Sequence, residues 1–196
     1  GGDFSQVGSI ERDLTTLDTY LVTTRETSIL ANAMQDSLEF IQSTMSRSVE
    51  ALIASANPNS EQSISTAAQT AREDLGAVIS TLNKRIGDRT LFAGIATDGP
   101  ALQSYDTIIA DLTTATTAAT NATDFMTALD TYFGPGGDFE TNNYVGSTTS
   151  LAPIKLDDDQ AASLTLRADD DTLKETLKTL AIGALLAEGK FWGDTE

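Results

Sequence analysis

The sequence predicts a mainly α protein: an elongated antiparallel helical rod, residues 1–101, joined to a smaller α+β domain, residues 102–196, that contains a β-hairpin. Three observations predict it. Apolar residues alternate at spacings of four and three through Ile10 to Ala56, a stretch that no proline or glycine interrupts. Asn57-Pro58-Asn59 breaks that stretch from a second one of the same period. After Phe133 the pattern changes to glycine stops, a long polar segment and a short run of period two.

The first helix opens on the seam Ile10, Leu14, Leu17 and Leu21, continued more weakly by Thr24, Ser28, Ala31 and Gln35. From Leu30 the stripe is better described by Met34, Leu38, Ile41 and Met45, a drift of the kind a stutter produces, and it rejoins at Val49 and Leu52. At about 1.5 Å per residue such a helix is roughly 70 Å long. The second helix starts either at Asn59, with Gln62 completing a capping box, or at Asn57 with Pro58 in the first turn. Its seam, Ile64, Ala68, Ala71, Leu75, Val78 and Leu82, carries the helix to Ile86, with Gly76 a weak point. The short link requires the two helices to fold back antiparallel. Gly87 is then expected as a left-handed C-cap, Leu91 to Gly94 as a short extended stretch, and Thr97-Asp98-Gly99-Pro100 as a turn.

A third helical segment, Tyr105 to Phe133, has a Thr/Ala centre from Thr113 to Thr123 and is expected to bend or break near Asn121. Gly134-Pro135-Gly136-Gly137 stops it, and Asp138 to Ser150 reads as a long polar loop. Leu151 to Leu156 and Ala162 to Ala168 form the β-hairpin, turning at Asp157 to Gln160. Thr172 and Glu175 make the capping box of a last helix with the stripe Leu173, Leu177, Leu180 and Ala184, and Lys190 to Glu196 reads as unfinished.

The net charge of −17 and the lack of a clustered basic run argue against nucleic acid as a partner. With Cys 0 and His 0, thiol, imidazole and zinc-finger chemistry are absent from the sequence. No apolar run is long enough to span a bilayer, so no membrane insertion is expected. The aspartate clusters at Asp157 to Asp159 and Asp169 to Asp171 lack the alternating, glycine-bent pattern of a calcium loop, and read as a solvated turn and a helix N-terminus. No phosphate loop, serine elbow or apolar-pocketed carboxylate pair stands out, so neither catalytic residues nor a cofactor is expected. The opening Gly1-Gly2-Asp3-Phe4-Ser5 carries no secretory signal, and the chain reads as a piece of a longer one.

What remains is the apolar seam. The second helix is too short to cover the start of the first, so Ile10, Leu14, Leu17 and Leu21 need a further helix, from the same polypeptide or from a neighbouring subunit.

The stretch Leu82-Asn83-Lys84-Arg85-Ile86-Gly87-Asp88-Arg89-Thr90-Leu91-Phe92-Ala93-Gly94-Ile95-Ala96-Thr97-Asp98-Gly99-Pro100 resembles the flagellar hook-associated protein 3 family, the hook–filament junction relatives of bacterial flagellin. Tyr144-Val145-Gly146 and the opening Gly-Gly-Asp-Phe-Ser are similar to members of it as well. The resemblance implies a rod like the D1 core of flagellin and a non-enzymatic, extracellular building block of the flagellum, exported unfolded through the type III apparatus. It implies as partners copies of the chain itself, flagellin, the adjacent hook-associated protein and an export chaperone. It also implies about 90 further residues ending in an amphipathic helix. Within the motif, Phe92 is expected to anchor the short strand on the rod, Gly94 to permit the turn and Asp98 to form it. Arg85 and Arg89 are expected either to bridge to acidic faces of the next subunit or to be satisfied within the chain. Filament flagellin is the close alternative. A cytoplasmic helical signalling or granule-coating scaffold would share the acidic, heptad-patterned composition.

Overall fold

A computed structural model describes residues 4–55 and 61–188. The expected link Asn57-Pro58-Asn59 and the segment Lys190 to Glu196 lie outside these residues. The elements are α1 (Phe4–Ser55), α2 (Glu61–Leu82), β1 (Arg85–Ile86), β2 (Arg89–Thr90), α3 (Tyr105–Ala115), α4 (Ala122–Phe133), a wide π-type turn (Phe139–Asn143), β3 (Ile154–Lys155), β4 (Ala161–Ala162) and α5 (Asp171–Ala187). The protein is mainly helical, with one long helix and small two-stranded hairpins.

The second half of α1 is held to α2 by Arg47 and Ser48, which donate to the buried Asp74 at 2.7 and 3.0 Å. The expected α2 seam is buried from Ala68 to Leu82, with Ile64 half-buried. The principal partner of α2 is α5, whose stripe Leu173, Leu177, Leu180 and Ala184 is buried. Gly183 is the point of closest approach, because a Cβ there would run into the Ala71 methyl and reach Leu52 Cδ1 at 3.5 Å. One hydrophobic cluster runs from Ala33 to Leu185 and passes through residue 101 without a break.

Several local expectations are corrected. The α2 helix ends at Leu82, four residues short of Ile86. The Asn83 amide draws the chain aside there: its Oδ1 accepts from Ala101 N and Leu102 N at 2.9 and 2.8 Å, and its Nδ2 donates to Leu102 O at 3.0 Å. Arg85 to Thr90 then forms a tight antiparallel hairpin, with Ile86 opposite Arg89. Gly87 is therefore a hairpin-turn residue and not a helix cap, its φ of +57° being what a two-residue turn requires. Leu91 to Gly94 is a succession of turns and not an extended stretch, since the strand falls at Arg89–Thr90 instead.

The break near Asn121 is present, with Asn121 capping α4 through a 2.9 Å bond from Asp124 N. The polar segment after Gly137 is not a free loop. It contains the π-type turn and is tied to the motif stretch by Val145 N to Ala101 O, Ser147 N to Ala93 O and Ile95 N to Thr149 O, at 2.9, 2.9 and 3.0 Å. The β3–β4 hairpin is much shorter than expected, although the period-two burial of Ala162, Leu164 and Leu166 persists beyond the last strand pair. Asp170, and not Thr172, caps α5, its carboxylate accepting from Thr172 N at 3.1 Å, while Glu175 turns outward to Lys178. An aspartate one turn from the first apolar residue supplies both the acceptor and the charge that a helix N-terminus favours.

Candidate interaction surface

Two regions draw together the residues that the sequence singled out. The first is the N-terminal half of α1. Ile10, Leu14, Leu17 and Leu21 are 58, 57, 57 and 56% exposed, and Val7 extends the same heptad line at 55%. Exposure above half for five successive apolar seam positions is a contiguous patch and not scattered surface leucines. The stripe lies away from the core. Leu14 and Ile41, the latter 3% exposed, stand about seven and a half turns apart and so point to opposite sides of a straight helix. Tyr20 and Thr23 are half-buried and Thr27 is buried, marking the side of α1 that meets the rest of the protein.

That inner side is latched. Tyr20 donates from its hydroxyl to Asp158 Oδ1 at 3.0 Å, Lys155 Nζ donates to the same oxygen at 3.0 Å, and the ammonium stands 5.9 Å from the Tyr20 ring centroid. The Lys155 ammonium and the Tyr20 hydroxyl hold the Asp158 carboxyl below its usual range. The β3–β4 hairpin is thereby fixed along one edge of the stripe, beside Leu17 and Leu21, and leaves the stripe itself uncovered. Thr15, Thr16 and Thr19 donate their hydroxyls to carbonyls one turn back, at 2.8, 2.9 and 2.8 Å, so these side chains are satisfied within the helix.

The second region is the hairpin motif. Phe92 is fully buried in the core, as an anchor should be, a placement worth about 2–3 kcal/mol by area. Gly94 has φ +60°, and a Cβ there would stand 2.5 Å from the carbonyl oxygens of both Ser147 and Thr149, so glycine is required on both counts. Arg85 is satisfied within the chain, donating to the carbonyls of Asp98 and Asp88 at 2.6 and 2.8 Å. Asp98 sits in the turn and contributes this carbonyl while its side chain is exposed. The Arg89 guanidinium is exposed and forms no hydrogen bond or ion pair among the described residues. With Ile86 and Gly87 it borders an open cleft whose other wall is Glu26, Ile29 and Leu30 of α1. The structure thus brings the hairpin tip beside the middle of α1 but leaves Ile10 to Leu17 beyond its reach.

Sequence reasoning missed three polar clusters that hold this scaffold. Lys174, 5% exposed, donates to Glu140 at 2.5 Å and pairs with Asp171 at 3.0 Å. Burial opposes the Lys174 charge, but the two carboxylates outweigh it and hold the pKa above its usual value. Lys174 and a bond from Gly136 N hold Glu140 below its usual range. Asn143 donates to Asp111 and to the Tyr132 hydroxyl, both at 3.0 Å, and burial, reinforced by the Asp111 charge, raises the Tyr132 phenol. Arg167 makes a two-pronged bond to Asp169 at 2.8 and 3.1 Å, while burial pushes the neighbouring Tyr144 phenol up to about 12. A lysine within an apolar helix stripe, as Lys174 is, was the one visible signal among these.

Among the described residues no group of acidic side chains is arranged to hold a metal ion, and no helix is long and apolar enough to cross a membrane. No family model, curated protein or solved structure matches this chain.

Proposed function

We propose that the chain is a structural subunit of the bacterial flagellum, placed at the hook–filament junction and assembling by helix–helix packing without catalysing a reaction. In this reading α1 and α2 are the antiparallel rod of a flagellin-like D1 core, with residues 102–196 as the smaller α+β part resting on it. The observation that carries it is the apolar heptad stripe from Val7 to Leu21, more than half exposed on the side of α1 opposite the core. A contiguous exposed apolar stripe at heptad spacing marks a face that another helix packs against. The likeness of residues 82–100 to the junction family supplies the biological setting: an extracellular location, with flagellin, the adjacent hook-associated protein and further copies of the chain as neighbours, and an export chaperone beforehand. The absence of cysteine from the sequence suits export in an unfolded, unlinked state.

Deletion of the gene tests the reading. Cells that make hooks without filaments and release flagellin into the medium support it; full filaments with no released flagellin refute the junction role. Recovery of the protein from the cell lysate and not from sheared flagella would point to an intracellular scaffold instead.

A further inference from the structure

The charges beside the stripe specify what covers it. Taking Val7, Leu14 and Leu21 as heptad position a, and Ile10 and Leu17 as d, the flanking positions e and g next to the seam hold Glu11, Asp13 and Asp18, with Tyr20, bonded to Asp158, at the remaining g position. All three acids are exposed and none is neutralised by an ion pair among the described residues. Arg12 falls on the opposite side of the helix, and Arg25 enters the flank only a turn beyond Leu21. The flank therefore reads acid, acid, base along its e positions, with a further acid at Asp13.

A second copy of the chain is a poor occupant. In a parallel pair Asp13 of one copy faces Asp18 of the other, and in an antiparallel pair Glu11 faces Asp18, so either arrangement sets like charges against each other. The net charge of −17 on each chain adds a long-range repulsion to that local one. Among the described residues no helix offers the complement. Lys174 and Lys178 of α5 are held by Glu140, Asp171, Asp130 and Glu175, and their helix is packed on α2.

We infer that the stripe receives a helix of different sequence, whose own apolar heptad seam is bordered by Lys or Arg opposite Glu11, Asp13 and Asp18. This inference rests on the stripe being an assembly face, as proposed above, and adds the chemistry of its partner. Charge sets the register as well: a partner matched to Glu11 and Asp18 places an acidic or neutral residue opposite Arg25.

The test uses the 196-residue chain and three synthetic helical peptides of about three heptads. One has Leu at a and d with Lys at e and g, one has the same seam with Glu at e and g, and one has Lys flanks with Asn replacing the seam leucines. Binding is followed by fluorescence anisotropy over a range of salt concentrations. The Lys-flanked peptide is expected to bind at least tenfold more tightly than the Glu-flanked one, with an advantage that shrinks as salt rises, and the Asn-seam peptide is expected not to bind. The triple variant Glu11→Lys/Asp13→Lys/Asp18→Lys is expected to reverse the preference. Equal binding of the Lys- and Glu-flanked peptides overturns the charge inference while leaving the assembly face intact. Failure of both to bind overturns the assembly face itself. Equal binding of the Lys- and Asn-seam peptides reduces the effect to general attraction between a cation and an acidic chain, and a stable dimer of the chain alone that Leu14→Asp disrupts makes a second copy the occupant; either result overturns the proposal.

Discussion

The crossing of α5 over α2 at Gly183 leads to a prediction of definite sign. Replacing a helical glycine by alanine ordinarily stabilises by about 1 kcal/mol, since alanine loses less backbone freedom on folding. At Gly183 the added methyl collides with the Ala71 methyl in the most extensively packed helix pair of the molecule. Forcing extra volume into a close-packed core costs about 1–3 kcal/mol, so Gly183→Ala is expected to destabilise by roughly 1 kcal/mol net. Gly76 provides the control. A Cβ there meets only the Tyr105 ring, at an ordinary contact distance of 3.6 Å, so Gly76→Ala is expected to stabilise by about 0.5–1 kcal/mol. Urea unfolding followed by circular dichroism at 222 nm measures both, and the corresponding melting temperatures should separate by several degrees. The pair Ala71→Gly/Gly183→Ala moves the methyl to the other helix and is expected to be more stable than the sum of its single changes implies. If Gly183→Ala stabilises as much as Gly76→Ala, the two helices do not approach as described and the core arrangement is refuted.

Other consequences are equally direct. Asn83→Ala leaves the amides of Ala101 and Leu102 without their acceptor and is expected to cost about 2–4 kcal/mol in denaturant unfolding, with Asn83→Asp, which keeps the acceptor, losing less. Glu140 titrates below its ordinary 4.5 in the folded chain, so the stability it contributes is full above that pH and disappears as pH falls through the folded value. Glu140→Gln should therefore flatten the loss of stability as pH falls below the ordinary carboxyl value of 4.5, relative to the parent chain, as read from urea midpoints; parallel profiles would contradict the Lys174 pairing. Gly94→Ala, which meets two carbonyl oxygens at a positive φ, is expected to destabilise by more than 1 kcal/mol, roughly the combined cost of strain and displaced backbone. Leu14→Asp with Leu17→Asp should leave the isolated chain's stability within about 0.5 kcal/mol while abolishing incorporation into flagella, a split that a core role for these leucines would not give.

Periodicity made the helices legible. α5, and α2 from Ala68 onward, bury the residues their seams nominate, whereas α1 buries only Met34 and Ile41 of its seam and leaves Ile10 to Leu21 exposed; a break is present near Asn121, where the weak Thr/Ala centre predicts one. Where the reading failed, a local signal was outweighed by a distant one. Ile86 continues the α2 seam and Gly87 has the look of a cap, yet Asn83 binds backbone 18 and 19 residues away and ends the helix early. Asp138 to Ser150 has no apolar period, so its π-type turn and its ties to the motif stretch left no trace in the pattern. The Tyr20–Asp158 contact spans 138 residues and the Lys174–Glu140 contact 34, separations at which spacing carries no information. The candidate surface was easier to read, because a heptad seam without a sequence partner is visible in one dimension. Its flanking charges specify the partner further than the seam alone does.

A sequence with Cys 0 permits the decisive measurement, a single thiol introduced as Leu17→Cys and its rate of alkylation. The account predicts rapid reaction in the isolated chain, where position 17 is 57% exposed, and strong protection in the protein carried by intact flagella. Equal rates in the two states would contradict the claim that the outer face of α1 is buried by assembly.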